Sequence, residues 1–190
     1  KVKEWTETKK LITLYGIAAA LNYIHSKNII YQDLKPANIL FDEYFFPKIS
    51  DFGFSRIKSI KKGIIEDSNE NRTKNPANPE YIAPEILQDG LINNSSDVDI
   101  YAFGIIFYEI ITGEKPFKEL TNPADIVKEV LNGGRPKFYK KIDDFYYQII
   151  IACWNDRPYN RPKFHEIVQS FESCCIDSED INYDEFFNYI

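Results

Sequence analysis

Between Asp97 and Thr112 the chain is apolar at almost every helical position. Ile100, Phe103, Ile105, Ile106, Phe107, Ile110 and Ile111 leave no solvent-facing stripe. A helix that is apolar all round is stable only where other elements cover every side, so this run fixes the centre of a domain. Glu109 interrupts it, and it is shorter than the roughly 20 residues of a bilayer span. It therefore reads as a core helix, and membrane insertion is not expected. Gly113 is placed to end it. With 190 residues, 44% of them hydrophobic and 15% aromatic, the chain has the apolar material for one packed domain and is not a disordered one.

Other helices assemble around this one. Thr8 to about Ser26 reads as an amphipathic helix, with Leu11, Leu14, Tyr15, Ala18, Leu21 and Ile24 at three- and four-residue steps. Asn122-Pro123 is a start signal, an amide cap followed by proline at the first position, and Gly133-Gly134 is the matching stop. Asp143 to Trp154 and Lys163 to Ser173 read as two more helices. The acidic tail 177–190 carries Tyr183, Phe186, Phe187 and Tyr189 and reads as a short docking helix. Ile39-Leu40-Phe41 and Pro47-Lys48-Ile49 read as two short strands joined by a turn that begins at Asp42-Glu43. Ile57 to Asn75 has loop composition, and a loop of that length inside a compact domain is more often functional than incidental. The expectation is a single, mainly helical domain over 1–190 with a small β-hairpin.

Bulk properties narrow the function. A net charge of -6 gives no basic footprint for nucleic acid. Lys9-Lys10 and Lys61-Lys62 read as solvated surface. Three cysteines, two of them the neighbours Cys174-Cys175, make no disulfide framework, and His25 and His165 stand alone without zinc-type spacing. The acceptor-like triplets starting at Asn71, Asn93 and Asn94 read as chance matches. The chain opens on Lys1, contains no methionine and shows no secretory leader. It is expected to be a piece of a longer chain in a reducing, cytoplasmic setting.

The residues with chemistry lie around the hairpin. Asp33-Leu34-Lys35-Pro36-Ala37-Asn38 precedes its first strand, and Asp51-Phe52-Gly53 follows its second. Asn38 and Asp51 therefore sit at opposite ends of one hairpin and can point to a common centre. Phosphoryl transfer needs a neutralised phosphate chain, a cation at the transferring group and an acceptor for the nucleophile's proton. Mg²⁺ takes oxygen ligands, often one or two protein groups plus phosphate and water. Asp51 offers a carboxylate and Asn38 an amide oxygen. Asp33 and Lys35 are two residues apart in backbone kept extended by Pro36, so their side chains can share a side.

In order and spacing these segments resemble the C-terminal lobe of a eukaryotic protein kinase from Thr8 to about Ser173. Ala83-Pro84-Glu85 comes after the long loop, and Arg161-Pro162 comes near the end. Asp-Leu-Lys-Pro-x-Asn is similar to the serine/threonine pattern. Cys153-Trp154 and Tyr101-Ala102-Phe103-Gly104 resemble the tyrosine-kinase-like group. The resemblance implies a catalytic loop at 31–38, a metal loop at 51–53, an activation segment at 51–85 and a core helix at 97–112. It implies Asp33 as catalytic base, Lys35 as the phosphate-contacting lysine, and Asn38 and Asp51 as Mg²⁺ ligands. Tyr31 and Phe52 resemble a stacked pair linking two lobes, with Gly53 closing the metal loop. Asp99 resembles the carboxylate that holds the catalytic loop by its backbone N–H groups. Glu85 and Arg161 resemble a buried bidentate pair. The implied activity is ATP- and Mg²⁺-dependent signalling phosphorylation of protein serine or threonine.

The chain also departs from that pattern. Tyr31-Gln32-Asp33 stands where His-Arg-Asp is usual, and Gln32 has no charge to pair with a phosphate. Phosphorylation at Ser55, Ser59, Ser68 or Thr73 is therefore not expected to be the on-switch. Asn78 stands where a bridging threonine is common; its amide can offer a similar hydrogen bond, but its reach and geometry differ. No Gly-x-Gly-x-x-Gly loop and no Val-Ala-x-Lys strand precede Tyr31. The N-terminal lobe is expected to be the missing partner from the same parent chain, and the fragment alone to be weakly active with an exposed apolar surface. A pseudokinase scaffold of the same fold and an inactive truncated product are the alternatives.

Overall fold

The computed structural model describes residues 5–57, 77–89, 95–173, 176 and 178–190. Ser59, Lys61-Lys62, Ser68, the Asn71 triplet with Thr73, Asn93, Asn94 and Cys174-Cys175 lie outside these residues, as does most of the segment 51–85.

The fold is mainly helical with small β elements. The chain runs α1 (Glu7–Ser26), β1 (Ile29–Ile30), β2 (Ile39–Phe41), β3 (Pro47–Ile49), β4 (Arg56–Ile57), α2 (Pro84–Asp89), α3 (Asp97–Thr112), α4 (Pro123–Leu131), α5 (Asp144–Cys153), α6 (Phe164–Glu172) and α7 (Tyr183–Tyr189). Single 3₁₀ turns sit at Pro36–Asn38, Pro79–Tyr81 and Pro158–Asn160, each opened by its proline.

Helix α3 is the centre, with every residue from Asp97 to Tyr108 buried. Gly113 ends it at φ 70° in the left-handed region, and its N–H donates to Glu109 O. Aromatic contacts tie the helices together. Phe107 stacks on Phe171 of α6 at 5.8 Å, and Phe103 meets Phe164 edge-on at 5.5 Å. The caps follow local chemistry. Asn122 Oδ1 accepts from Ala124 N at 3.0 Å, Asp143 Oδ1 from Phe145 N at 2.8 Å, and Asn182 Oδ1 from Glu185 N at 3.0 Å.

Helix α1 is not amphipathic. Its residues from Leu11 to Ala18 are buried without a break. α6, β3 and α7 all pack on it, with Pro47 and Tyr189 reaching Gly16 between the periodic positions. Nor is the Lys9-Lys10 pair simply solvated. Lys9 bonds Glu185 of α7 at 2.6 Å and Lys10 bonds Glu7 at 2.6 Å, with both lysines mostly covered.

β2 and β3 pair antiparallel, Ile39 opposite Ile49 and Phe41 opposite Pro47, as one hairpin. A second two-stranded ladder joins β1 to β4, Ile29 opposite Ile57. Ile57 thus belongs to a strand and not to the loop after it. Among the described residues no helix is long and apolar enough to cross a membrane.

Candidate active site

The hairpin and the two elements before it bring the polar groups together. β1 ends at Ile30, and the next residues turn sharply. Gln32 adopts φ 67°, in the left-handed region that non-glycine residues rarely enter. That turn aims two successive N–H groups at one carboxylate. Tyr31 N donates to Asp99 Oδ2 at 2.8 Å and Gln32 N to Asp99 Oδ1 at 2.7 Å. Asp99 is 1% exposed and sits in the first turn of α3, where the helix dipole favours its charge. His25 does not stand alone, because its Nε2 pairs with Asp99 Oδ2 at 2.8 Å.

With the loop held this way, Asp33 is buried and receives two neighbours. Lys35 Nζ donates to Asp33 Oδ2 at 2.9 Å, and Asn38 Nδ2 donates to the same oxygen at 2.9 Å and to Asp33 O at 2.7 Å. Asp51 joins through the backbone. Ser50 N donates to Asn38 O at 2.9 Å and Ser50 Oγ to the same oxygen at 3.1 Å, closing the hairpin one residue before Asp51. Among the described residues no direct hydrogen bond links the Asp51 carboxylate to Asp33, Lys35 or Asn38.

The donor set fits Mg²⁺. Asn38 directs its NH₂ toward Asp33, so its amide oxygen points away and accepts no hydrogen bond among the described residues. Asp51, also in the left-handed region at φ 54°, uses Oδ1 to accept from Gly53 N at 3.2 Å and leaves Oδ2 open in the same sense. One amide oxygen and one carboxylate oxygen are hard ligands of the number this ion often takes from protein.

Tyr31 lies among these groups. Burial pushes its hydroxyl up to about 12, and the carboxylates of Asp33, Asp51 and Asp99 add to that, while Asn38 opposes it. It stays a neutral donor to Ser50 O and so ties the start of the Asp33 loop to the end of the hairpin. Its ring meets Phe52 at 5.3 Å and 76°, edge to face and not stacked, and half of Phe52 faces solvent. On and around the two ladders, Leu40, Phe41, Phe52 and Ile57 are each exposed.

Asn78 makes no bridge. Its side chain is exposed and forms no hydrogen bond among the described residues. It lines a groove of about 520 Å³ with Lys35, Glu80, Tyr81 and Glu109. Tyr81 donates to Glu109 Oε2 at 2.8 Å, and burial of Glu80 raises its carboxyl. Farther off, Glu85 of α2 and Arg161 pair through two bonds, Nη1–Oε1 at 2.7 Å and Nη2–Oε2 at 2.9 Å.

Sequence reasoning passed over His25. A histidine in the last turn of α1, just ahead of the Asp33 loop, was the available signal.

A family model described as protein tyrosine and serine/threonine kinase matches residues 2–171. The chain is similar to the serine/threonine-protein kinase CTR1 of Arabidopsis thaliana, 36% identical over 165 residues, covering 85% of this chain and 19% of that protein. It is 32% identical over 153 residues to the serine/threonine-protein kinase STY17 of the same plant, covering 80% and 25%. It is 34% identical over 176 residues to the dual specificity protein kinase shkC of Dictyostelium discoideum, covering 89% and 33%. The chain thus spans a third or less of the length of each of these relatives.

Proposed function

Because the chain belongs to the protein tyrosine and serine/threonine kinase family, we propose that its parent transfers the ATP γ-phosphoryl group to serine or threonine hydroxyls of a protein, with residues 1–190 as the C-terminal lobe. The observation that carries this reading is the closed network of Asp33, Lys35 and Asn38, joined to the Asp51 backbone by the Ser50–Asn38 bond. When bound, Mg²⁺-ATP supplies the phosphoryl group and neutralises charge on the phosphates. Asn38 and Asp51 are the residues that would hold the ion, one amide oxygen and one carboxylate oxygen. Asp33 orients the acceptor hydroxyl and takes its proton, and Lys35 Nζ pairs with its buried carboxylate at 2.9 Å. Lys35 is a quarter exposed and can swing from Asp33 to a phosphate oxygen. Asp99 and His25 act through the loop by fixing its backbone.

No strand lysine and no glycine-rich loop lie ahead of Tyr31. The upper side of the nucleotide would be held by a lobe of the parent chain, which would cover exposed apolar residues such as Phe52. The 190 residues alone are then expected to bind ATP poorly. A scaffold reading draws on Gln32 and on Asn78, which forms no bridge. One experiment separates the two. Full-length parent protein and its Asp33→Asn variant are compared for phosphate transfer from Mg-ATP. A loss of at least about 100-fold is expected. Equal rates remove the enzyme reading and leave the scaffold.

A further inference from the structure

The family match ends at residue 171, yet the chain beyond it folds back onto α1 and the far end of the β2–β3 hairpin. Helix α7 lies along α1. Glu185 bonds Lys9 at 2.6 Å, Asn182 N donates to Thr8 Oγ1 at 2.8 Å, and Phe186 is fully buried with its ring 5.7 Å from Tyr15. The last turn of α7 then reaches the hairpin. The Tyr189 ring lies 4.6 Å from Phe46 and 6.1 Å from Tyr15. Three elements converge at Gly16 of α1. A methyl group there would stand 2.5 Å from Pro47 Cγ and collide with the Tyr189 hydroxyl. The absence of a side chain lets hairpin and tail close on α1 at one point.

That point lies on the arm that carries the two proposed metal ligands. Phe46 and Pro47 lead through β3 to Ser50, whose N–H closes on Asn38 O, and then to Asp51. The hairpin has only three residues per strand, and an isolated two-stranded ribbon is marginal in water. Its placement depends on what holds its far end. We propose that α7 is a brace for the β2–β3 hairpin, and that Tyr189 is a positioning residue for Asn38 and Asp51. The mechanical part stands on the contacts alone; the link to the metal rests on the function proposed above.

Amide exchange and Mg²⁺ dependence, both measured on the full-length parent protein, test it. Tyr189→Ala is expected to speed exchange across residues 46–51 by about tenfold or more while residues 97–112 keep their protection. Tyr189→Phe keeps the ring contacts and should stay within about twofold of wild type. Glu185→Lys sets two cations against each other at the start of α7 and should loosen 46–51 by about threefold without touching the ring. In phosphate transfer, Tyr189→Ala should raise the Mg²⁺ concentration for half-maximal rate by roughly fivefold, with the KM for protein substrate unchanged. Unchanged exchange at 46–51 in Tyr189→Ala and Glu185→Lys overturns the brace. Equal loss of protection in 97–112 also overturns it, because Tyr189 would then be an ordinary core residue. A lower kcat with unmoved Mg²⁺ dependence overturns the link to the ligands. A wild-type protein that transfers no phosphate removes the kinase reading alone, since exchange decides the brace without it.

Discussion

Replacing Glu85 by alanine tests the buried, bidentate charge pair with Arg161. The Arg161 side chain is fully buried and makes four hydrogen bonds. Two go to Glu85, one to Asn155 O at 2.9 Å and one to Asp97 O at 3.0 Å, and the guanidinium lies 5.2 Å from the centre of the Tyr101 ring. Glu85→Ala removes half of those bonds and leaves a buried cation without the carboxylate that pairs with it. Breaking a buried pair from one side costs about 3–5 kcal/mol. Glu85 keeps 13% exposure, which lets water approach from one edge and favours the lower end. For a domain of this size that corresponds to a fall in Tm of roughly 6–20 °C. Urea unfolding should show a lower midpoint at unchanged slope. Arg161→Met made together with Glu85→Ala should cost less than Glu85→Ala alone, since no unpaired charge remains. Arg161→Lys keeps the charge, but a single ammonium cannot span the fork and should cost about 2–4 kcal/mol. A Glu85→Ala loss below about 1 kcal/mol, or a double variant that is simply additive, refutes the argument.

Asp99→Asn keeps the shape but offers one acceptor oxygen where Tyr31 N–H, Gln32 N–H and His25 converge on two. It should cost about 1–3 kcal/mol in urea unfolding and lower phosphate transfer about 100-fold through a misplaced Asp33. At alkaline pH, Tyr31 should ionise late. Burial lifts it from 10.0 to about 12, so the folded state holds a proton that the unfolded state has lost, and the stability this gives is intact below pH 10 and lost between 10 and 12. Tyr81 and Tyr101 are raised by burial too and act in the same direction. Tyrosinate absorbance and helical circular dichroism should then change together above pH 10; full tyrosine ionisation near pH 10 with helices intact counts against this. Because Gln32 offers no charge, acidic substitutions at Ser55, Ser59, Ser68 or Thr73 should change the rate by less than about tenfold, and a larger rise in a kinase assay reverses that reading.

The parts of the fold legible in the sequence are those with local causes. β2 and β3 occupy the residues anticipated, because a turn signal at Asp42 separates two short apolar runs. α3 spans Asp97–Thr112 because its composition allows only one environment and Gly113 stops it. Order and spacing gave the grouping of Asp33, Lys35 and Asn38 in the same way. What was misread has its cause elsewhere in the chain. β1 and β4 are two residues each, and their pairing joins Ile29 to Ile57 across a gap that carries no local pattern. α1 looked amphipathic because the hairpin and α7, which pack on it beside α6, are not visible in its own periodicity. His25 looked isolated because its partner lies 74 residues away. The different reach anticipated for the Asn78 amide agrees with the exposed turn it occupies, where its side chain makes no hydrogen bond among the described residues.

These cases meet at the first turn of α3, where placing the site and holding the domain together are one problem. Asp97 and Asp99 are both buried there, and two carboxylates so close are tolerable only because the helix N-terminus and separate donors satisfy each of them. Asp99 faces the Asp33 loop. Asp97 turns the other way, its carboxylate bonded to Lys163 beside α6 and its carbonyl to Arg161, which in turn holds α2 through Glu85. One rigid turn thus serves as a common reference for the Asp33 loop, for α2 at the end of the 51–85 segment, and for α6. A change on the Asp97 side removes bonds that no proposed reacting group shares, so it should lower stability more than rate. A change at Asp99 acts on the backbone of Gln32, one residue from Asp33, and should lower rate more than stability. Measuring both quantities for Lys163→Ala and Asp99→Asn decides the point: matched ratios of rate loss to stability loss would mean that the turn is only a structural support.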